Sequence, residues 1–396
     1  MPALAVAEAL RERGAEVTFT VAKGAGGRGL AEREGYEEDT LPLRGFDRRP
    51  SFRNLRTLWQ TALAVPRALA ILRRRKPEVV VGAGGYLAGP MAIAAWLSRR
   101  PVVLMEADSR LGAANRLAAP FAKRVTLAFP LAGRGSKRYV VTGRPVRKSV
   151  RDATRVSGRS ALGIPSEETA VLVFGGSQGA RTLNDAAVDA FGPEPPFLLI
   201  HVAGERNLDE VRGRLGHEGG DSRYRLEGFT HDLPDALAAA DLVVARSGGS
   251  VFEIAAMGRP SILVPYPHAT ADHQTVNAQW MAEAGAALVL PDDECNGPRL
   301  REVVGALLAD RGRLEAMGAA ASAISRPDAA ERIADEVEGA ARRRKPPKKP
   351  RLRHLRGAVR RTGRAGRRVG SVRIRRPRRF RAPRIRFPRL RLRRRK

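Results

Sequence analysis

The chain has 396 residues, with 72 Lys and Arg against 41 Asp and Glu, a formal net charge of +31. That charge is segregated: residues 342–396 hold 28 of the basic side chains and no acid, so the rest is nearly balanced at 44 basic against 41 acidic. One cysteine, Cys295, excludes an intrachain disulfide framework and a thiolate metal cluster, and no run approaches the roughly 20 apolar residues that a membrane-spanning helix needs.

The length suits two cores plus an extension. Ala3, Leu4, Val6, Ala7 and Leu10 recur at helical spacing, so the chain is expected to open in a helix. Apolar strand candidates follow at 16–21, 79–81 and 102–105, then at 170–174, 197–201, 242–245 and 261–265. Helical patterns separate most of them, the signature of βα units around mostly parallel sheets. Such a domain ordinarily opens on a central strand, and a helix in that place leads to the expectation of a truncated chain whose first strand and turn stood upstream. Residues 141–160 are polar, basic and nearly free of apolar periodicity, and are read as the linker. The βα rhythm restarts at Val171 and runs to about Leu308, with helical character through Ala340. From Arg342 the sequence is Arg, Pro and Gly, which cannot bury enough apolar surface to offset chain entropy, so a disordered tail is expected.

Three glycine turns carry the chemistry. VLVFGGSQGAR, 171–181, is a buried strand running into a glycine turn and a helix. Its glycines permit positive φ and close backbone approach, and free N–H groups favour an anion such as a diphosphate, with Ser177 and Gln178 adding side-chain donors. VVVGAGGYLAGP, 79–90, repeats that arrangement in the first half, so two ligand sites are expected to face each other across a cleft. In the third, 243–267, Ser250 and Glu253 have capping-box spacing; the competing role places the Glu253 carboxylate on ribose hydroxyls. His273, Gln274 and Asn277 then cluster at a helix entry, where amides suit sugar hydroxyls or a capped, solvated face. His268 and His273 lack a third ligand at metal spacing, so no metal site is expected. His201, at a strand end, is read as a satisfied core histidine.

The ordered blocks GAGGY, GGSQGAR, SGGS-x-x-E-I-A-A-x-G-x-P and H-Q-x-x-N-A resemble the UDP-N-acetylglucosamine:lipid I N-acetylglucosaminyltransferase family of peptidoglycan synthesis, over about residues 2–340. The resemblance implies a GT-B fold: two Rossmann-like domains with parallel sheets and an interdomain cleft. It implies an acceptor and membrane-facing domain at 1–142, a UDP-sugar donor domain at 143–322, a helix at 323–341 returning to the first domain, and the basic tail at 342–396. On the donor side it implies Ser177 and Gln178 near the diphosphate and Arg147 as a nearby cation. Thr230 would lie where backbone reads the uracil, Glu253 at the ribose, Gln274 with Asn277 at the sugar hydroxyls, and Ser250 elsewhere on the donor side. On the acceptor side it implies Gly84, Gly85 and Tyr86, with Asp108 in a neighbouring loop. UDP-N-acetylglucosamine is then a substrate, and no cofactor is implied.

Three departures from the family pattern stand out. The G-G-T-G-G-H loop that precedes P-A-L-A, with its histidine, is absent, so no catalytic base is identified. Asp108 and Arg144 each stand where an asparagine is usual. Phe52, Leu55 and Trp59, with basic residues through Lys76, form an apolar face flanked by cations that suits an anionic membrane surface or an ordinary core. A peripheral location on the cytoplasmic face of the bacterial membrane follows from the lipid-linked acceptor. The tail would add roughly 1 kcal/mol of attraction per cation engaged at an anionic leaflet, and could also hold nucleic acid nonspecifically. The rival readings are a GT-B transferase acting on diacylglycerol and a noncatalytic membrane or nucleic-acid binding module.

Overall fold

The computed structural model describes residues 1–22, 29–43, 52–131, 133, 136–176, 180–192, 194–216, 223–228, 232–269 and 272–342. The side chains of 52–62, the basic tail, and Ser177, Gln178 and Thr230 lie outside that description.

The first lobe opens with α1 (Pro2–Glu12), whose proline sits in the first turn where a backbone N–H has no helical partner to lose. Strands β1 (Thr18–Ala22) and β2 (Glu37–Leu41) pair in parallel around the short α2 (Leu30–Arg33). After α3 (Phe52–Arg75) come β3 (Val80–Gly82), α4 (Ala88–Leu97), β4 (Val102–Glu106), α5 (Ala113–Ala118), β5 (Arg124–Leu127) and β6 (Tyr139–Val141). These four strands form a separate parallel sheet in the order β3-β4-β5-β6. Helix α1 ties the two sheets together. Leu4 and Ala7 pack with Phe19, Ala31 and Tyr36, while Val6, Ala9 and Leu10 pack on Val103 and Met105 of β4.

Strand β2 escaped the apolar search because its sequence is EEDTL. Its inward acid, Asp39, is only 8% exposed, yet it accepts from the Arg74 and Arg75 guanidiniums of α3, so the charge enters the interface already paired. The same pairing engages two of the cations expected to flank a membrane face, with Arg75 also bound to Glu37.

The second lobe contains six parallel strands: β7 (Ala170–Phe174), β8 (Leu198–Val202), β9 (Tyr224–Glu227), β10 (Leu242–Ala245), β11 (Ser261–Leu263) and β12 (Ala287–Val289). Their order is β12-β11-β10-β7-β8-β9, so successive connections run one way from β7 and the other way from β10. Helices α8 (Arg181–Phe191), α9 (Leu208–Leu215), α10 (Leu233–Ala239), α11 (Val251–Ala256), α12 (His273–Glu283), α13 (Gly297–Ala309) and α14 (Arg311–Ile324) flank the sheet, giving a core on each face.

The polar stretch expected to be a linker is mostly helix. Residues 142–147 and 153–154 have no regular structure, and α6 (Lys148–Asp152) and α7 (Arg155–Ala161) account for most of the rest. Thr154 and Ser157 close a reciprocal capping box, with the Ser157 N–H donating to Thr154 Oγ1 over 3.1 Å. Gly158 lets α7 meet α10, since a Cβ there would stand 2.5 Å from the Asp235 carbonyl oxygen. The Arg159 guanidinium, almost fully buried, donates to the carbonyls of Pro165, Ser166 and Glu168 and to Asp241. The basic residues that made the stretch look solvated are its internal fasteners.

The chain then crosses back. Helix α15 (Ala329–Arg342) buries Ile333, Ala334 and Val337 with α1 and β4 of the first lobe. Arg124 pairs with Glu336 at 2.8 Å and Arg13 with Asp335 at 2.7 Å. The returning segment lies beside the outgoing one: Arg326 and Arg332 both donate to the Val141 carbonyl over 3.2 Å. Gly143, at φ +93°, leaves less than 3 Å between its missing Cβ and Arg326.

His201 is fully buried on β8, 2.7 Å from the Tyr224 hydroxyl and 3.1 Å from the Asn184 carboxamide oxygen, the satisfied core histidine read from the sequence. Burial pushes its pKa down to about 3. The unfolded chain, with histidine near 6.5, therefore binds a proton that the folded chain refuses between about pH 6.5 and 3. Stability is expected to rise with pH across that window by up to ~1.4 kcal/mol per unit from this residue. Denaturant melts of His201→Gln against the native chain should show a shallower acid slope, and an unchanged slope would refute the assignment.

Candidate active site

Parallel strands release their following turns at one edge, so the glycine motifs assemble by topology alone. The 171–181 turn leaves β7 and the 247–250 turn leaves β10, the adjacent strands between which the connection direction reverses. Gly176 adopts φ +85° at the start of the first of these. In the first lobe Gly84 and Gly85 sit at φ +88° and +71° between β3 and α4, with open space where side chains would project, and Tyr86 follows half-buried.

The third turn is built differently from the expected capping box. Ser250 has helical backbone angles and makes no capping bond; its hydroxyl lies 3.5 Å from the Arg246 carbonyl. The turn is fixed instead from below. Asn277, 3% exposed, donates to the Ser247 carbonyl over 3.0 Å and to the Gly248 carbonyl over 3.3 Å. Arg246 donates to the Val264 and Pro265 carbonyls and to Asp292. Both donor bonds of the Asn277 amide are thus spent on backbone, while the Gln274 amide oxygen accepts from the Tyr266 N–H over 3.0 Å. Glu253, released from capping, stands half-buried on α11.

Opposite this turn, the loop after β4 is organised by Glu106. Its carboxylate, 7% exposed, accepts from the Asp108 and Gly112 N–H groups and from the Asn115 amide at 2.7–3.2 Å. Arg144, in the outgoing crossing, spans the gap. Its Nη1 donates to the Ala107 carbonyl over 2.9 Å and lies 3.7 Å from Asp108 Oδ1, while its Cζ stands 5.4 Å from the centre of the Phe252 ring. Arg147 points into the first lobe, bidentate to Glu34 at 2.8 Å and paired with Glu8 at 2.7 Å. Burial pushes the Glu253 carboxyl above its usual range, against the opposing pull of Arg144, the Met1 amine and Arg147. Burial likewise presses the Arg144 guanidinium down.

A cavity of about 290 Å³ at the crossing is lined by Phe129, Arg144, Phe252, Trp280, Ile324 and Arg326. Its aromatic wall joins the lobes, with Phe252 stacked on Trp280 and Phe129 edge-on to both. Among the described residues none of the expected site residues lines it, and Arg144 is the side chain it shares with the turn that carries Glu253. Among the described residues no group of three or more His, Cys, Asp and Glu could hold a metal ion.

Models of the glycosyltransferase family 28 N-terminal and C-terminal domains match residues 1–127 and 170–333. Transferases named UDP-N-acetylglucosamine–N-acetylmuramyl-(pentapeptide) pyrophosphoryl-undecaprenol N-acetylglucosamine transferase are close relatives. That of Halothermothrix orenii is 34% identical over 86% of this chain and 95% of its own length. That of Halorhodospira halophila is 41% identical over 85% and 94%. The chain belongs to this transferase family. The crystal structure of Acinetobacter baumannii MurG superposes with a TM-score of 0.65 at 26% identity, covering 85% of this chain and 95% of that one, and the GT-B fold is shared. The expected N-terminal truncation draws no support from these matches.

The protein is thus a family 28 glycosyltransferase, and its cleft gathers Ser250 and Glu253 from one lobe with Asp108 from the other, bridged by Arg144. Sequence reasoning treated Arg144 only as a departure from pattern. The one available signal was its partner in oddity, Asp108.

A Glu253 that accepts from ribose hydroxyls does so in its ionised form. Affinity for UDP-N-acetylglucosamine should then hold above its raised pKa and fall as pH drops through it, at a higher pH than an ordinary carboxylate near 4.3 would dictate. Glu253→Gln should weaken binding by about tenfold or more and remove the acid limb. Calorimetric titration from pH 8 to 5 tests both, and a Gln variant that keeps native affinity would sink the role.

Proposed function

We propose that this chain transfers N-acetylglucosamine from UDP-N-acetylglucosamine to the C4 hydroxyl of the N-acetylmuramic acid of lipid I, with inversion, yielding lipid II for peptidoglycan. The observation that carries the reading is the convergence of Glu253, the Gly248–Gly249 turn, Arg144 and the Asp108 loop at one cleft, in a family whose relatives bear this activity in their names. The C4 oxygen bonds to the anomeric carbon as the bond from that carbon to the β-phosphate oxygen breaks; UDP keeps the electron pair and the hydroxyl proton passes to a base. Ser177 and Gln178 attend the diphosphate, Thr230 the uracil, Ser250 and Glu253 the ribose, and Gln274 the sugar. Asn277 serves the sugar by fixing the turn beneath it, with Arg147 a more distant cation. Gly84, Gly85 and Tyr86 bound the acceptor side, where exposed glycine backbone gives a lipid diphosphate close approach.

The acceptor is lipid-linked, and the first lobe offers a face for it at the cytoplasmic surface of the bacterial membrane. No helix among the described residues is long and apolar enough to cross a membrane. Trp96, Leu97 and Leu117 are 56%, 52% and 72% exposed on α4 and α5, and Leu63 is 50% exposed on the adjoining α3. Arg99, Arg100 and Arg116 lie beside them in sequence, the amphipathic composition that suits an anionic bilayer surface.

Incubation with radiolabelled UDP-N-acetylglucosamine should label lipid I and leave diacylglycerol unlabelled; label in diacylglycerol alone would overturn the acceptor assignment. The paired change Trp96→Ser with Leu97→Ser should lower membrane partitioning, read as flotation with anionic vesicles, by at least about tenfold, since each half-exposed side chain still has about half of the ~1.5–3 kcal/mol of full burial to gain. Equal flotation would refute this face.

A further inference from the structure

The two departures from the family pattern, Asp108 and Arg144, face each other. Asp108 belongs to the loop that Glu106 pins at the end of β4, and Arg144 to the outgoing crossing. Their separation of 3.7 Å is an ion-pair distance, with the Arg144 side chain 17% exposed and Asp108 58% exposed. The guanidinium also reaches the second lobe. A Cβ on Gly249 would lie 2.3 Å from Arg144 Nη2, so only glycine at 249 admits the side chain there.

Arg144 is under-used for a cation held so far from water. Both of its polar contacts among the described residues run through Nη1, to the Ala107 carbonyl and to Asp108. Among the described residues no hydrogen bond is made by Nη2 or Nε, the edge that faces the Gly249 turn. A planar fork with free donors, laid against the turn that carries Ser250 and Glu253, matches the spaced oxygens of a phosphate or diphosphate. Asp108 is more exposed and is held by one long contact, so an anion of higher charge can displace it.

We propose that Arg144 takes the diphosphate of the sugar nucleotide through Nη2 and Nε, and that Asp108 is its resident competitor, released when the donor binds. The proposal rests on the donor reading above and adds to it a residue pair and an exchange. Without donor the Arg144–Asp108 contact links the outgoing crossing to the first lobe; with donor bound the same guanidinium links that crossing to the nucleotide. Donor binding and the freeing of the Asp108 loop are then one event, and the loop becomes available to the acceptor only when the donor is in place.

Calorimetry on the full chain with UDP, UMP and uridine tests this. Arg144→Gln should weaken UDP at least tenfold and uridine less than twofold, with UMP between. Arg144→Lys, which keeps the charge without the fork, should lose less than Arg144→Gln. Asp108→Asn should tighten UDP about threefold in the native background and have no effect beside Arg144→Gln. A thermal melt of each variant separates lost binding from lost folding. Native UDP binding retained in a folded Arg144→Gln, or an Asp108→Asn effect that persists without Arg144, overturns this inference and leaves the donor reading standing. Failure of the native chain to bind UDP overturns both.

Discussion

Everything in the cleft depends on strand direction. Because all strands within each sheet are parallel, every turn that follows a strand emerges at the same edge, and the reversal between β7 and β10 opens a crevice at that edge. The glycines then serve geometry that topology has already set. Gly249 is the sharpest case, since its missing side chain is the space occupied by a guanidinium from another segment of the chain.

The charges in that crevice are held in tension. Glu253 and Arg144 are both pressed toward neutrality by burial while each favours the other's charged form. Such groups are costly to leave unpaired and valuable where a charged ligand completes them. Elsewhere the opposite arrangement prevails: Arg147 with Glu8 and Glu34, and Arg13 with Asp335, are closed pairs between elements distant in sequence. Full pairing marks where the lobes are fastened, and incomplete pairing marks where chemistry is expected.

The apolar strands and the opening helix were legible because burial on both faces leaves short hydrophobic runs that nothing else explains. Strand β10 falls at 242–245, as read from the sequence. Strands β2, β5, β6, β9 and β12 were not read: EEDTL and YRLE carry charged side chains whose partners, for Asp39 and Arg225, lie far along the chain, and RVTL, YVV and ALV are runs of only three or four residues. The same long-range pairing hid α6 and α7 inside an apparent linker. In the site, Glu253 was visible through its motif, but its freedom from capping was not: Ser250 has the right spacing and the wrong backbone angles. Spacing is a local property, whereas the support that fixes this turn comes from Asn277, 30 residues from Ser247.

The chain passes between the lobes twice, at 142–147 and again near 326, and the two passages are bonded side by side through the Val141 carbonyl. A body joined at one point is constrained at that point alone, whereas two adjacent attachments bonded to each other fix a line along which the lobes meet, and Arg144 belongs to the first of them.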